Sequence, residues 1–600
     1  MNATGVGSKG IRRGAWLAAA ALLADVGFLR NLWIHFGYWG IWDWDFQCAL
    51  LEAARQTIVG YGELPLWDPW LGGGSSLVGN PLASTYAPSF LPVLALGTIH
   101  GVKIVLLLYL WIAQIGAYRL ARSLGLGVLA AVLAALVFSW GGVFAQHFTN
   151  GHIGWIGYAW LPFSIGAFRR ATAPGALGWR RAGPLAAAGV YLALAFLDGG
   201  PYHYVLVPAF LASYAAVLAL EGRSLRPLVA LPIVGALGVG LAAVEIFPTV
   251  EMTLAYPRPT EARTDYYGAP FEPTVGRILY QAFLSPAQAH DARRWQPFFL
   301  NVGAYVGILP LLLALAALGL RARRAWPWAL LTVGWLVVCL GGALPAAVDP
   351  WPLLHRLPGL DSLKIPMRFR ILPLLTLAVW AAHGLQALGE IPWLRRARRV
   401  ALPLVVAVIG VDLALVNGAV FRSAFVVPPI PVEPERTLRY EPHRLYRNTY
   451  RRTAVEPIFP NWPTGALPAV LANQGLIFEF WPREWPHATV ASSSPAYPGV
   501  EAFPVAGSSR IVSFVRTPNH VSLRVVGGGG VLAVNQNYQP GWKASLGQAL
   551  PWQGLLAVRA PKGAHEIRLD FRPTAFLAGA AVSLASSVGV VGLALRSRRG

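Results

Sequence analysis

Two carboxylates flank a tryptophan at Asp43-Trp44-Asp45, directly after the first long apolar run. A carboxylate at a membrane edge can take a proton from a hydroxyl, so the pair is a candidate for general-base chemistry. The same residues suit a helix N-cap, where a side-chain acceptor satisfies the first free N–H groups. Nothing in the sequence chooses between Asp43 and Asp45 as the base. Trp44 reads as an aromatic of the membrane interface.

More ionisable residues stand at later ends of apolar runs. His147 and His152 lie five apart in HFTNGH, a spacing that could hold a phosphate or tune a carboxylate. Interfacial polar residues satisfied by water would look the same. A zinc site is disfavoured, because no third or fourth ligand is close in sequence. Asp198 and His203 bracket the turn DGGPYH. Glu245 sits just inside the end of a run, where an ionisable group is a functional candidate. The stretch DSLKIPMRFR contributes Lys364, Arg368 and Arg370, and arginine forks match phosphate oxygens. Gln47, Gly73 and Asn80 in the first loop complete the pocket-lining candidates, with Gly72-Gly73-Gly74 permitting close backbone approach. That run is no nucleotide loop: no Lys-Ser/Thr follows it and no strand precedes it.

The elements that must position these residues are membrane spans. The chain has 600 residues, 55% hydrophobic and only 13% charged. Soluble domains carry about twice that charge fraction. Apolar stretches of near-spanning length fall at roughly 14–35, 101–120, 127–146, 153–169, 183–199, 203–221, 227–248, 300–320, 326–345, 370–389, 400–421 and 574–595. The net charge of +22 would suggest nucleic acid on a soluble protein. Here the basic residues cluster between spans, as in Arg169-Arg170, Arg180-Arg181, Arg323-Arg324 and Arg395-Arg396. With these spans every cluster falls on one side, the positive-inside pattern. Both termini are therefore expected in the cytoplasm, the first run as an uncleaved span, and Asp43 and Asp45 outside. Cys48 and Cys339 support neither a disulfide framework nor a metal site.

Three outer segments are long, and the first covers about 36–100. Within it DFQCALLEAARQTIVG places Phe46, Leu50, Ala53, Ala54 and Ile58 near helical spacing, which predicts an amphipathic helix lying at the interface. Residues 422–573 lack spans and contain alternating stretches such as RIVSFVRTPNHVSLRVV and HEIRLDF, with Gly527 to Gly530 read as a turn. The expected organisation is a transmembrane domain over 1–421, an outer β-rich, sandwich-like domain over 422–573, and a final span with basic tail over 574–600.

An acidic pair after the first span, a helix beside it and an outer C-terminal domain resemble the GT-C superfamily of membrane glycosyltransferases. The segments IWDWDFQ, GELPLWDPWLGGGSSLVGNP, NGHIGWIGYAWLP, LKIPMRF, NQNYQPGWKASLGQ and VRAPKGAHEIRLDFRPTAFLAG resemble its bacterial YfhO-type branch. The resemblance implies a polyprenyl-phosphate sugar donor, an envelope glycan, polymer or lipid as acceptor, and transfer at the outer face of a bacterial or archaeal cytoplasmic membrane. It makes a first-loop acid, Asp43 or Asp45, the catalytic group, with Lys364, Arg368 and Arg370 toward the donor phosphate. The second acidic pair of some relatives is missing, so a divalent metal lacks support and no cofactor is expected. Two other classes compete. A transporter or flippase would show internal repeats and mid-span charges, whereas the polar residues here gather at span ends. A non-catalytic envelope scaffold would tolerate substitution in the first loop.

Overall fold

The computed structural model describes residues 8–40, 43–174, 181–257, 272–286, 301–357, 360, 363, 365–392, 398–429, 431–441, 465–477 and 488–599. Helices α1 (Ser8–Phe28) and α2 (Arg30–Ile34) lead into α3 (Asp43–Tyr61), which opens the first loop. There follow α4 (Phe90–Leu96), α5 (Thr98–Ser123), α6 (Val128–Trp140) and α7 (Gly142–Thr149). A 3-10 segment, Ile153–Trp160, then runs into α8 (Leu161–Thr172). The bundle continues with α9 (Ala182–Leu197), α10 (Pro201–Gly222), α11 (Arg226–Leu241), α12 (Ala243–Ala255) and α13 (Val275–Phe283). It closes with α14 (Ile308–Cys339), α15 (Ile371–Glu390) and α16 (Arg398–Val420). After a short α17 (Ala466–Leu471) and the outer domain, the chain ends in α18 (Thr574–Arg599).

The twelve apolar stretches overlap helical segments, although residues 303–307 of the eighth and 340–345 of the ninth are not helical. Among the described residues six helices are individually long and apolar enough to cross a membrane, and α11 with α12 meets the same test as a pair bent by 86°. In α14 one residue, Arg321, leaves helical geometry and divides two apolar runs. Proline stands in the first turn of α8, α10 and α11, where its missing N–H costs nothing. The chain is thus a multi-pass helical membrane protein with a β-rich C-terminal domain.

Helix α3 departs from the expected interfacial helix. Trp44 through Ala54 are all buried, the polar Gln47 and Glu52 included. The cause is a partner far along the chain: α17 packs across α3, so no face is left to solvent. Glu52 tolerates burial because Arg55 and Thr98 donate to its two oxygens. Trp44 is likewise core rather than belt: its indole N–H donates to the Phe148 carbonyl at 2.8 Å and its ring lies against Phe425.

The C-terminal β domain, expected from the sequence on the outer side, is built on one long hairpin, β5 (Ala502–Arg516) and β6 (His520–Asn537). Along its other edge, the first half of β6 pairs with β10 (Gly563–Phe571) and the second half with β9 (Leu555–Ala560). The short β7 (Trp542–Ala544) and β8 (Gln548–Trp552) extend those halves. Gly527 to Gly530 are therefore no turn between strands but a bend inside β6. The reason is steric: a Cβ on Gly530 would stand 2.0 Å from the Ala506 carbonyl oxygen of the paired strand. Alternating residues of both halves, among them Val521, Leu523, Val525, Leu532, Val534, Leu556, Val558, Ile567 and Leu569, share one core. Each such side chain stabilises by about 1.5–3 kcal/mol as an upper estimate. Two small separate pairs lie outside this sheet: β1 (Trp67–Asp68) with β2 (Ser75–Ser76) in the first loop, and β3 (Tyr440–Glu441) with β4 (Gly475–Leu476). The first pair is fastened to the domain, with Trp67 in its core and the Ser76 N–H donating to Gln539 Oε1.

Candidate active site

Asp43 begins α3, and the turn after α7 brings His152 to it. His152 Nε2 lies 2.8 Å from Asp43 Oδ2, and His152 Nδ1 lies 2.8 Å from His147 Nδ1. The turn allows this because Gly151 has φ +86°, and a Cβ there would stand 2.2 Å from the Trp44 backbone nitrogen. Only glycine lets the two backbones meet so closely. An ionised Asp43 can only accept, so His152 Nε2 donates to it and His152 Nδ1 accepts from His147 Nδ1–H. Both nitrogens of His152 are then occupied. Asp43 keeps 24% of its side chain exposed, against 13% for His152.

Asp45 is used differently. Its two oxygens accept from the backbone N–H groups of Gly465, Ala466 and Leu467 at 2.9, 2.9 and 3.1 Å. It caps α17, a helix more than 400 residues away. Burial pushes the Asp45 carboxyl above the ordinary carboxylate range, and the three N–H donors pull it part of the way back.

The cations divide in the same way. Arg370 is fully buried and donates to the carbonyls of Gly303, Asn301 and Met367, which makes it a brace for the chain entering α15. Arg368 is part-exposed. Its Nε donates to Asn301 Oδ1 and its Nη1 to the Tyr202 hydroxyl, both at 2.9 Å. The Tyr202 ring meets Trp155, and Trp155 stacks on His147 at 3.8 Å, so contacts run unbroken from Arg368 to Asp43. Lys364 lies outside the described residues. Tyr202, Asn301 and Trp155 escaped the sequence reading. Their one signal was position, beside His203, at the start of an apolar run and beside His152.

The remaining candidates lie elsewhere or are structurally engaged. Asp198 is buried and accepts from Tyr109 and Trp160 at 2.8 and 2.7 Å. His203 is buried with its ring on Tyr158 at 4.0 Å. Glu245 is buried at the start of α12, with the Tyr204 hydroxyl 3.3 Å from its Oε1. Gln47 is buried within α3, and Asn80 accepts from the Leu82 N–H in a local turn. At Gly73 the close approach is real, but the visitor is the chain itself. Its carbonyl accepts from the Asn537 N–H and the Thr489 hydroxyl, both at 2.8 Å. Among the described residues no group of three or more His, Cys, Asp or Glu could hold a metal ion.

An apolar groove of about 340 Å³ lies between α13, α14 and α15. Pro373, Leu377 and Trp380 of α15 line it at helical spacing, together with Leu279 and Phe283 of α13 and Leu336 of α14. Pro373 follows Arg368 closely in the chain.

No known family profile matches the chain, and no curated protein matches it. Solved structures with a similar course of chain include the transferase ArnT from Cupriavidus metallidurans bound to undecaprenyl phosphate. It is 13% identical with a TM-score of 0.45, over 77% of this chain and 85% of that one. The mycobacterial arabinofuranosyltransferase AftD is 17% identical with a TM-score of 0.44, over 78% of this chain. The oligosaccharyltransferase AglB from Archaeoglobus fulgidus, in complex with an inhibitory peptide and a dolichol-phosphate, is 16% identical with a TM-score of 0.37, over 68% of this chain. The chain spans 56% of the length of AglB and 33% of that of AftD.

Proposed function

We propose that this protein is an integral-membrane glycosyltransferase of GT-C type. It moves a sugar from a polyprenyl-phosphate donor to a hydroxyl of an envelope glycan, polymer or lipid at the outer face, with Asp43 as general base. The observation that carries the reading is the chain Asp43–His152–His147. It fixes one carboxylate oxygen and leaves the side chain part-open. Asp45, spent on three backbone N–H groups, has no such freedom.

The acceptor hydroxyl gives its proton to the free oxygen of Asp43 as its own oxygen bonds to the anomeric carbon. The bond from that carbon to the phosphate oxygen breaks, and the lipid phosphate leaves with the electron pair. One base and attack from the face opposite the leaving group invert the anomeric centre, as in an inverting glycosidase. Arg368, held by Asn301 and Tyr202, offers its remaining N–H groups to the charge growing on phosphate. The polyprenyl chain lies in the groove along α13, α14 and α15, whose walls are apolar and whose Pro373 follows Arg368 closely in the chain. The outer β domain sits over the first loop, in a place to hold a polymeric acceptor.

The test is transfer from a polyprenyl-phosphate sugar by the purified protein in proteoliposomes. Wild type is expected to transfer and Asp43→Asn to fail while remaining folded. Full activity of Asp43→Asn removes it from the base position. Absence of transfer by wild type, with several sugars and with acceptor present, defeats the functional reading.

A further inference from the structure

A second cavity, also about 340 Å³, lies between α8, α9 and α11. It is at the far end of the bundle from Asp43. Arg181 immediately precedes α9 and Asp198 immediately follows it, so the two are separated by the length of a 16-residue helix, roughly 24 Å. The basic clusters assign this end to the cytoplasm.

Its lining has two parts. Arg181, Arg226 and Ser224 form one end, and Leu185, Val229 and Ile233 form the wall. Nε and Nη2 of Arg181 are shielded from solvent and bond to no protein acceptor. A guanidinium does not escape by losing its proton. Arg181 as a whole is part-exposed, and this shielded, unpaired edge of its guanidinium favours an anion beside it. No carboxylate is among the residues lining the cavity. The first turns of α9 and α11 both open here, and their free N–H groups add positive potential. Val229 and Ile233 are 65% and 47% exposed on the outer surface of a helix bundle that sits in lipid. The cavity therefore opens sideways into the bilayer rather than only toward water.

We propose that this cavity is a binding site for an anionic phospholipid of the surrounding membrane. Its headgroup phosphate sits between Arg181 and Arg226, and an acyl chain lies along Leu185, Val229 and Ile233. The chemistry is that of basic pockets between helices which take anionic lipid heads. The apolar wall, exposed on the lipid side, favours a lipid over a free phosphate. The site is independent of the proposed transfer reaction and of Arg368.

The protein is reconstituted in phosphatidylcholine nanodiscs and titrated with phosphatidylglycerol, reading thermal unfolding and lipid retention by native mass spectrometry. Wild type is expected to gain stability and retain the anionic lipid. In Arg181→Leu/Arg226→Leu the apparent affinity should fall by roughly tenfold or more, the loss of charge-assisted hydrogen bonds. A double variant that responds like wild type overturns the proposal. Should the double variant not fold, Arg181→Lys keeps the charge without the fork and is expected to bind more weakly than wild type; an unchanged response again overturns it. Arg368→Ala should respond as wild type does, and loss of the response there would place the lipid at the other end. Inorganic phosphate reproducing the full shift, or polyprenyl phosphate acting where phosphatidylglycerol does not, would overturn the phospholipid assignment.

Discussion

The start of α3 and the glycine loop at 72–74 carry similar signals: both set aspartates, tryptophans and glycines together in the first loop, as GYWGIWDWD and LWDPWLGGG. Their fates differ. Around Asp43 the bonds come from His152 and leave the side chain 24% exposed. Around Gly73 the outer domain closes nearly every polar group. Asn537 Nδ2 donates to the Gly72 carbonyl, the Thr489 hydroxyl to the Gly73 carbonyl, and the Ser76 N–H to Gln539 Oε1. One region presents a carboxylate, whereas the other is a fastening between two domains. What separates them is the identity of their distant partners: His152 for Asp43, and Thr489 and Asn537 for the glycine loop.

The contrast breaks most visibly at the two aspartates. Asp43→Asn keeps the shape and removes the base, so the rate of transfer should fall by about 10²–10⁴-fold with the unfolding temperature little changed. Asp45→Asn should do the reverse, leaving kcat near wild type in the protein that folds. Equal rate losses in both variants would erase the distinction between a working and a capping carboxylate.

Arg368 and Arg370 sharpen the same comparison. Arg368→Ala removes charge-assisted hydrogen bonds to a donor phosphate, which predicts roughly a 10- to 100-fold rise in donor KM. An unchanged KM would remove Arg368 from the phosphate site. For Asp45→Ala the predicted loss is stability, about 1–2 kcal/mol for an N-cap, read as earlier proteolysis between α17 and the outer domain. A variant as resistant as wild type would show that the cap does not hold α17 on α3.

The fold was legible where one physical rule dominates. Hydropathy alone brings the twelve apolar stretches onto helices for most of their length, because apolar backbone away from water must pair its own N–H and C=O groups. Alternation likewise exposes the strands of the outer domain. The site was legible only in its ingredients. Asp43, His147, His152 and Arg368 stand out as ionisable residues at span ends, but the 2.8 Å contact between Asp43 and His152 joins residues 109 positions apart. Asp45 and Arg370 stand out equally, and both are absorbed by backbone groups that no local pattern reveals. The bend at Gly527 to Gly530 was misread because glycine permits a turn and a folded strand alike.

Gly73 tests the fastening directly. It has φ +74°, and a Cβ there would lie 2.6 Å from the Thr489 hydroxyl oxygen. Gly73→Ala should cost about 1–2 kcal/mol from the left-handed backbone alone, with the close contact added. The expected readout is easier proteolysis at the first loop with donor KM unchanged. A rise in KM without loss of stability would instead return the glycine loop to the ligand pocket.

The smallest effect concerns Asp68, in the same fastening. Its Oδ1 accepts from the N–H groups of Trp70 and Leu71, and its Oδ2 is buried without a partner. Burial pushes its carboxyl up to about 7 from an ordinary 3.8, against the pull of those two donors. Between these values the folded state holds a proton that the unfolded chain has released. The stability linked to this proton is therefore fully present below about pH 4 and is lost as pH rises through about 7. Docking of the first loop should weaken from pH 5 to pH 8, by less than about 1.4 kcal/mol per pH unit, the limit for one proton. Asp68→Asn keeps an acceptor for Trp70 and removes the titration, so its unfolding temperature should vary less over that range. Parallel pH profiles for the two proteins would show that the proton resides elsewhere. A flatter profile in the variant would show that a carboxylate built into a fastening is stable there because it stays protonated.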